Sequence, residues 1–368
     1  MILWLLQLFP SWLKVNATDS PEAIFLTARI AASSLIGFAT TLVLGPIAIR
    51  WLQSRFTERI ASASPTLNKL HANKQNTPTM GGLFVMAAVL LAVILCGDLS
   101  SQFIQIGLLL MVGSLALGFQ DDRIKQSTER LGLSAKQKLG LQILLATCIS
   151  SLLWFATNRS TLLPDVRLPV IESVLFTGSI CMIAWMTLVI VSVTNAVNLT
   201  DGLDGLAAGP TIFCAGSFAA ITYLCGHAEF ADHLHLTFVP GSGELAVLLA
   251  ALVGAMLGFL WFNTHPALVF LGDTGSLPTG ALIGYCGIAC GQEWLLLVIG
   301  GLFVVETLSV IVQVSGHKIT GKRLLRCSPL HNHFVFRGDP EARIVIRFWI
   351  VSAVLAIVGL TLLRFAGR

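Results

Sequence analysis

The sequence predicts an all-α polytopic membrane protein with about ten transmembrane helices, both termini outside and an active site on the cytoplasmic face. Three observations carry this. Apolar residues make up 55% of the 368 residues and charged residues 11%, whereas soluble domains carry roughly 25% charged residues. Apolar runs close to the roughly 20 residues that cross a hydrocarbon layer recur along the chain. Basic residues gather in alternate connections between those runs.

The elements follow in order. The opening "MILWLLQLFPSWLKV" is apolar, with no basic residue ahead of it and no small-residue cleavage site behind it. It reads as an N-terminal interfacial segment over 1–21, ahead of a single integral membrane domain over 22–368. The apolar runs predict helices over 22–49, 79–97, 101–119, 137–157, 170–193, 205–225, 244–262, 275–290, 294–315 and 344–366. The eighth is short and Gly-rich. The eight cysteines lie mostly in or beside these runs and form no C-x-x-C pair. They behave as small hydrophobes, which excludes a metal-cluster or disulfide framework.

Loop charge sets the orientation. Arg50, Arg55, Arg59, Lys69 and Lys74 fall between the first and second runs. Arg123, Lys125, Arg130 and Lys136 fall between the third and fourth, with Lys138 at the very start of the fourth. Lys318, Lys322, Arg323, Arg326, Arg337 and Arg343 fall between the ninth and tenth. The alternate connections hold only Arg159 and Arg167. The basic connections are therefore expected on the cytoplasmic side.

The same side collects the chemistry. Asp121 and Asp122 in "GFQDDRIKQ" are adjacent carboxylates, which repel unless a cation or basic partner neutralises them. A solvated helix end with Arg123 and Lys125 as partners accounts for them equally. In "TNAVNLTDGLDGLAAG", Asn198, Asp201 and Asp204 are spaced by three, which puts them on one face of a helix starting there. Capping explains one of these side chains but not all of them. Asp273, between glycines in "FLGDTGSLPTG", marks either an anion-binding helix start or a capped one. Carboxylates and cations gathered at one membrane face suggest a Mg²⁺ site handling phosphates, because Mg²⁺ takes one or two carboxylates plus phosphate oxygens and water. Lys74, Lys125 and Lys138 could neutralise a pyrophosphate, although each alone is also a topology signal. Glu306 lies within a span, where an ionisable group is costly and marks a functional or hydrogen-bonded position.

Together, "KQNTPTMGG", "DDRIK", "NAVNLTDGLDGLAAG", "FLGDTGSLPTG" and "PLHNHF", in this order, resemble the MraY family of phospho-N-acetylmuramoyl-pentapeptide transferases. That family belongs to the polyprenyl-phosphate N-acetylhexosamine-1-phosphate transferase superfamily. The resemblance implies Mg²⁺-dependent transfer of phospho-MurNAc-pentapeptide from UDP-MurNAc-pentapeptide to undecaprenyl phosphate, giving lipid I and UMP for peptidoglycan. It also implies ten membrane helices in contact with membrane lipid, a homodimer in many members, and no nucleic-acid partner. By motif, Asp273 is implied as principal Mg²⁺ ligand with Asp201 beside it. Asp121 and Asp122 act on the phosphates, with Asp121 the base for the lipid phosphate. Asn198, Asp201 and Asp204 line the nucleotide site, and Phe270 and Gly272 meet the uracil. Lys74, Thr79, Lys125, Lys138 and Asn263 contact diphosphate or order the site. His331 and His333 sit at the sugar–phosphate side. The family usually shows three consecutive histidines after Pro-Leu, and here Asn332 replaces the middle one, so a three-histidine metal site is not expected.

Two alternatives remain at this stage. One is a related transferase using UDP-N-acetylglucosamine. The other is a transporter, which would place its polar groups near the membrane midplane, as only Glu306 does.

Overall fold

The computed structural model describes residues 21–56, 74, 77–127, 132–157, 166–167, 174–176 and 178–366. The expected N-terminal interfacial segment lies outside the described residues except for Pro21, which begins the first helix. Each of the ten apolar runs contains a helix. In chain order, the helices are α1 (Pro21–Gln53), α2 (Gly82–Cys96), α3 (Gln102–Ser127), α4 (Ala135–Ala156), α5 (Ser179–Thr200), α6 (Ala208–Cys225), α7 (Ala228–His233) and α8 (Gly243–Asn263). They continue as α9 (Asp273–Ala289), α10 (Glu293–Ile299), α11 (Gly301–Thr320), α12 (Leu330–Arg337) and α13 (Glu341–Ala366). Among the described residues, eight helices are long and apolar enough to cross a membrane. The second and eighth expected spans are the shorter helices α2, of 15 residues, and α9, of 17.

Two expectations are corrected. The fifth run is not helical over Val174–Phe176. Val174–Phe176 is a strand, β2, paired antiparallel with β1 (Val166–Arg167), and the helix starts only after Gly178 at φ 95°. The run "VLF" has the β-branched and aromatic content of a strand. The ninth run is broken at Gly300 into α10 and α11.

Helix α9 is the centre of the bundle. Every residue from Asp273 to Ala289 is buried, and α3, α5 and α2 pack around it. Its glycines explain why. A Cβ on Gly82 would run into the Gly275 backbone nitrogen, so α2 and α9 touch backbone to backbone as small-residue helix pairs in membranes do. The Gly-rich eighth run is a close-packing surface. Helix α8 packs against α1 and α6 on the other side.

Away from the aspartate motifs, a buried ion pair ties α1 to α8. Arg29 donates through Nη1 to Glu244 Oε1 at 2.7 Å and through Nε to the Cys96 carbonyl at 2.6 Å, and its Nη2 also pairs with Glu244. Glu244 Oε2 in turn accepts from the Asp98 amide at 2.8 Å. A cation inside the first apolar run is tolerated because its partners are built in. A second apolar cluster, Leu203, Leu206, Leu302, Ile344, Val345 and Phe348, seats α13 on the turn after α5, with Leu330 and Phe334 of α12 packed against it.

Candidate active site

The site is made where α3 ends, α4 and α9 begin and α5 ends. Asp121 and Asp122 lie in the last two turns of α3, Lys125 one turn on, and Asp273 at the first position of α9. Asp121, Asp122 and Asp273 each bring a carboxylate oxygen within 4.8 Å of the others, and all three residues are buried. Two ammonium groups answer them. Lys125 Nζ lies 2.9 Å from Asp121, 3.4 Å from Asp122 and 2.8 Å from Asp273. Lys138, carried by α4, lies 2.5 Å from the same Asp273 oxygen and 3.5 Å from Asp121. Helix α4 is fixed at its start by a capping box, Ser134 with Gln137.

The remaining lone pairs are spoken for. Asn198, near the end of α5, donates to Asp273 Oδ1 at 2.6 Å and to Ser276 at 2.8 Å. Asp122 Oδ2 accepts from the Thr274 amide at 2.9 Å and its hydroxyl at 2.6 Å. Asp121 Oδ1 accepts from the Leu133 amide at 2.7 Å. Buried carboxylates this close persist only with such compensation. Gly272, at φ 72°, lets the chain turn into α9. A Cβ there would lie 2.7 Å from Asp122 Oδ2 and 3.0 Å from Thr79 Oγ1, which also places buried Thr79 beside the carboxylates.

A second group stands beside the first along the 270–273 strand of chain. Lys74 Nζ lies 2.6 Å from Asp204 and 5.9 Å from the centre of the Phe270 ring. Asp204 Oδ2 is 2.9 Å from His265 Nδ1 and accepts from the Ala267 amide at 3.1 Å. Burial pushes the Asp204 carboxyl upward, but the Lys74 ammonium, the Ala267 amide and His265 more than offset it and hold the group below the usual carboxylate range.

Asp201 and Asp204 do not share a helix face. Helix α5 stops at Thr200 and α6 starts at Ala208, with turns between and Gly205 at φ 78°. Asp201 is the half-buried C-cap of α5 and is not one of the three carboxylates that come within 4.8 Å of one another. Asn263 orders the site: its amide accepts from Gly205 N at 2.9 Å and donates to Val269 O at 2.8 Å. His331 and His333 separate. His333 Nδ1 accepts from the Arg326 amide at 3.2 Å. His331 is buried, with Nδ1 3.1 Å from Glu306 and Nε2 against Gly202. This supplies the partner of the intramembrane Glu306, which is itself fully buried. Glu341, Thr274 and Ser276 are further members that the sequence reading passed over. Glu341 stands after Pro340 at the start of an apolar run, so it reads as a helix-start residue.

Residues 104–291 match glycosyl transferase family 4. A phospho-N-acetylmuramoyl-pentapeptide-transferase of Koribacter versatilis (strain Ellin345) is 40% identical, over 99% of this chain and 100% of its own length. One from Geobacter sp. (strain M21) is 41% identical, over 92% of this chain and 94% of its own. The chain belongs to the phospho-N-acetylmuramoyl-pentapeptide-transferase family. Members are phosphoglycosyl transferases, so this is a transferase of peptidoglycan synthesis carried by an integral membrane fold. A third relative, from Campylobacter curvus (strain 525.92), is 42% identical over 92% of this chain and 95% of its own. The transporter alternative ends here.

Proposed function

We propose that the chain transfers phospho-MurNAc-pentapeptide from UDP-MurNAc-pentapeptide to undecaprenyl phosphate, releasing UMP and leaving lipid I in the membrane. The observation that carries this is the buried Asp121–Asp122–Asp273 group served by two lysines at a helix start. Loop charge supports a cytoplasmic site in a ten-span bundle with both ends outside.

A phosphate oxygen of the lipid attacks the sugar-linked phosphorus of the UDP-sugar. The new P–O bond forms as the bond to UMP breaks. Asp121 takes the proton of a singly protonated lipid phosphate and leaves the attacking oxygen with its full charge. Lys125 and Lys138 offset the charge of the two phosphate groups as they approach, and Asn198 and Ser276 hold Asp273 in place. The donor set suits Mg²⁺, because three carboxylates offer hard oxygens around a place where two ammonium groups now balance charge. Asp273 with Asp122 or Asp121 would hold the ion; Asp201 lies outside the group. When bound, Mg²⁺ supplies charge neutralisation at the pyrophosphate and the leaving UMP. Lys74, Asp204 and Phe270 form the pocket for the uridine half, with Phe270 as a stacking face.

The experiment is transfer of radiolabelled sugar from UDP-MurNAc-pentapeptide or UDP-N-acetylglucosamine to undecaprenyl phosphate in detergent, with and without Mg²⁺. Product from the first donor only, and only with Mg²⁺, is expected. Asp121→Asn should keep UMP binding and lose turnover; near-wild-type turnover would refute the base role.

A further inference from the structure

Four side chains from separate parts of the sequence, Lys74, Asp204, His265 and Glu341, meet in one cluster, and the reading above gives Glu341 no role. Glu341, in the first turn of α13, lies 267 positions from Lys74 in the chain, yet its Oε1 is 2.5 Å from Lys74 Nζ. The same oxygen accepts from the Asp204 amide at 2.8 Å. Its other oxygen lies 3.8 Å from His265 Nδ1. Lys74 Nζ is therefore shared between two carboxylates, Asp204 on one side and Glu341 on the other. Asp204, His265 and Glu341 have a metal-like spacing, within 4.8 Å, but the Lys74 ammonium already balances the two carboxylates. The side chains of Lys74, Glu341 and Asp204 are 15%, 16% and 2% exposed, so these contacts are sheltered from water.

We propose that Glu341 is a positioning residue for the nucleotide pocket, holding the Lys74 ammonium and the Asp204 amide where the uridine half of the sugar nucleotide binds. This rests on the reading that Lys74, Asp204 and Phe270 line that pocket. A lysine reaches its ligand on a flexible four-carbon stem, and a single partner leaves much of that freedom in place. A second charged acceptor on the opposite side removes it, and charge-assisted hydrogen bonds are the strong ones. Glu341 can act as that fixed point because its helix is seated. Ile344, Val345 and Phe348, on the next turns of α13, pack in one apolar cluster with Leu203 and Leu206, which flank Asp204. Trp349 Nε1 also donates to the Gly205 carbonyl at 3.1 Å. The carboxylate of Glu341 and the backbone of Asp204 thus sit on two surfaces already joined. The last membrane helix becomes part of the nucleotide site without touching the reacting phosphates.

The test uses the full chain in detergent, with separate KM values for UDP-MurNAc-pentapeptide and undecaprenyl phosphate, and UMP titration for binding. Glu341→Gln is expected to raise the nucleotide KM and the UMP Kd about tenfold, the effect of weakening one charge-assisted contact. Turnover at saturation should stay within about twofold and the lipid KM should not move. Glu341→Asp should recover part of the loss. Lys74→Met should mask it: the double variant should bind UMP no more weakly than Lys74→Met alone, because Gln keeps an oxygen to accept from the Asp204 amide and loses only the charge that acts through Lys74. If Glu341→Gln does not fold, Glu341→Asp alone and with Lys74→Met gives the same decision. Equal rises in both KM values, a fall in turnover with unchanged nucleotide KM, or additive losses in the double variant would make Glu341 a mere clasp for α13 and overturn the proposal. Failure of the wild type to bind UMP would instead overturn the pocket reading, and the inference with it.

Discussion

Replacing Gly272 with alanine adds one methyl group at the point where the chain turns into α9. Gly272 has φ 72° and ψ 175°, a region that is essentially glycine-only and costs other residues about 1–3 kcal/mol. The new Cβ would also stand 2.7 Å from Asp122 Oδ2 and 3.2 Å from the Met80 amide nitrogen. A relaxed carbon–oxygen approach is about 3.3 Å, so either Asp122 or the start of α9 must move by roughly 0.6 Å. Asp122 is held by two bonds from Thr274, the residue after Asp273, and the displacement passes to Asp273 whichever side yields. A shift near 1 Å at a reacting group costs about 100-fold in rate. Gly272→Ala is therefore expected to lose roughly 10- to 100-fold in turnover. Its melting transition should fall as about 1–3 kcal/mol of strain requires. Single-turnover release of UMP measures the first, and a fluorescence melt in detergent the second. Gly338→Ala separates strain from contact. Gly338 has φ 95° but nothing within 4 Å of its would-be Cβ, so it should lose stability and keep turnover. Gly272→Ala turning over within about twofold of wild type would refute the argument that this glycine protects the carboxylate geometry.

Three further outcomes are expected. Asp273→Asn should abolish turnover and flatten the Mg²⁺ titration of any residual rate; an unchanged titration midpoint would remove Asp273 as a ligand. Asp204 has a folded pKa below its unfolded value, near 3.9, so its contribution is present above that value and lost as pH falls through the folded one. The advantage of wild type over Asp204→Asn in UMP binding should stay level from about pH 7 to pH 5 and decay only below about pH 4; decay between pH 7 and 5 would contradict the ion-pair account. Arg29→Met leaves Glu244 sheltered without its cation, which costs about 3–5 kcal/mol. A lower melting transition with normal turnover per folded molecule is expected, and pairing it with Glu244→Leu should recover most of the loss.

The helices and the carboxylate motifs were readable because both are local signals. Apolar runs mark helices, and "DDRIK" puts Asp121, Asp122 and Lys125 within one turn, where they do meet. Asp273 beside Gly272 announced a helix start, and one is there. What was not readable depends on contacts between distant segments. Nothing near Glu306 names His331, 25 positions on, as its partner. Glu341 looks like an ordinary acidic first-turn residue until α13 is packed against the 201–207 turn. Arg29 is invisible as a structural cation because its neighbours are apolar and Glu244 lies far along the chain. The three-residue spacing of Asp201 and Asp204 misled because periodicity assumes an unbroken helix, and glycines at 202 and 205 allow the chain to turn instead.

The complete burial of α9 has a mechanical consequence. Bilayers differ in thickness, and helices facing lipid respond by tilting or shifting, each at a modest energetic cost. Helices α1, α11 and α13 carry exposed apolar side chains along much of their length, such as Val43, Ile311 and Ile357, and take that load. Asp273 rides on a helix that lipid cannot grip, locked to α2 by backbone contact at Gly82 and Gly275. The enzyme's inner register is thereby insulated from the thickness of its solvent. Asp273 is therefore expected to keep its place beside Asp121 and Asp122 when the thickness of the surrounding bilayer changes.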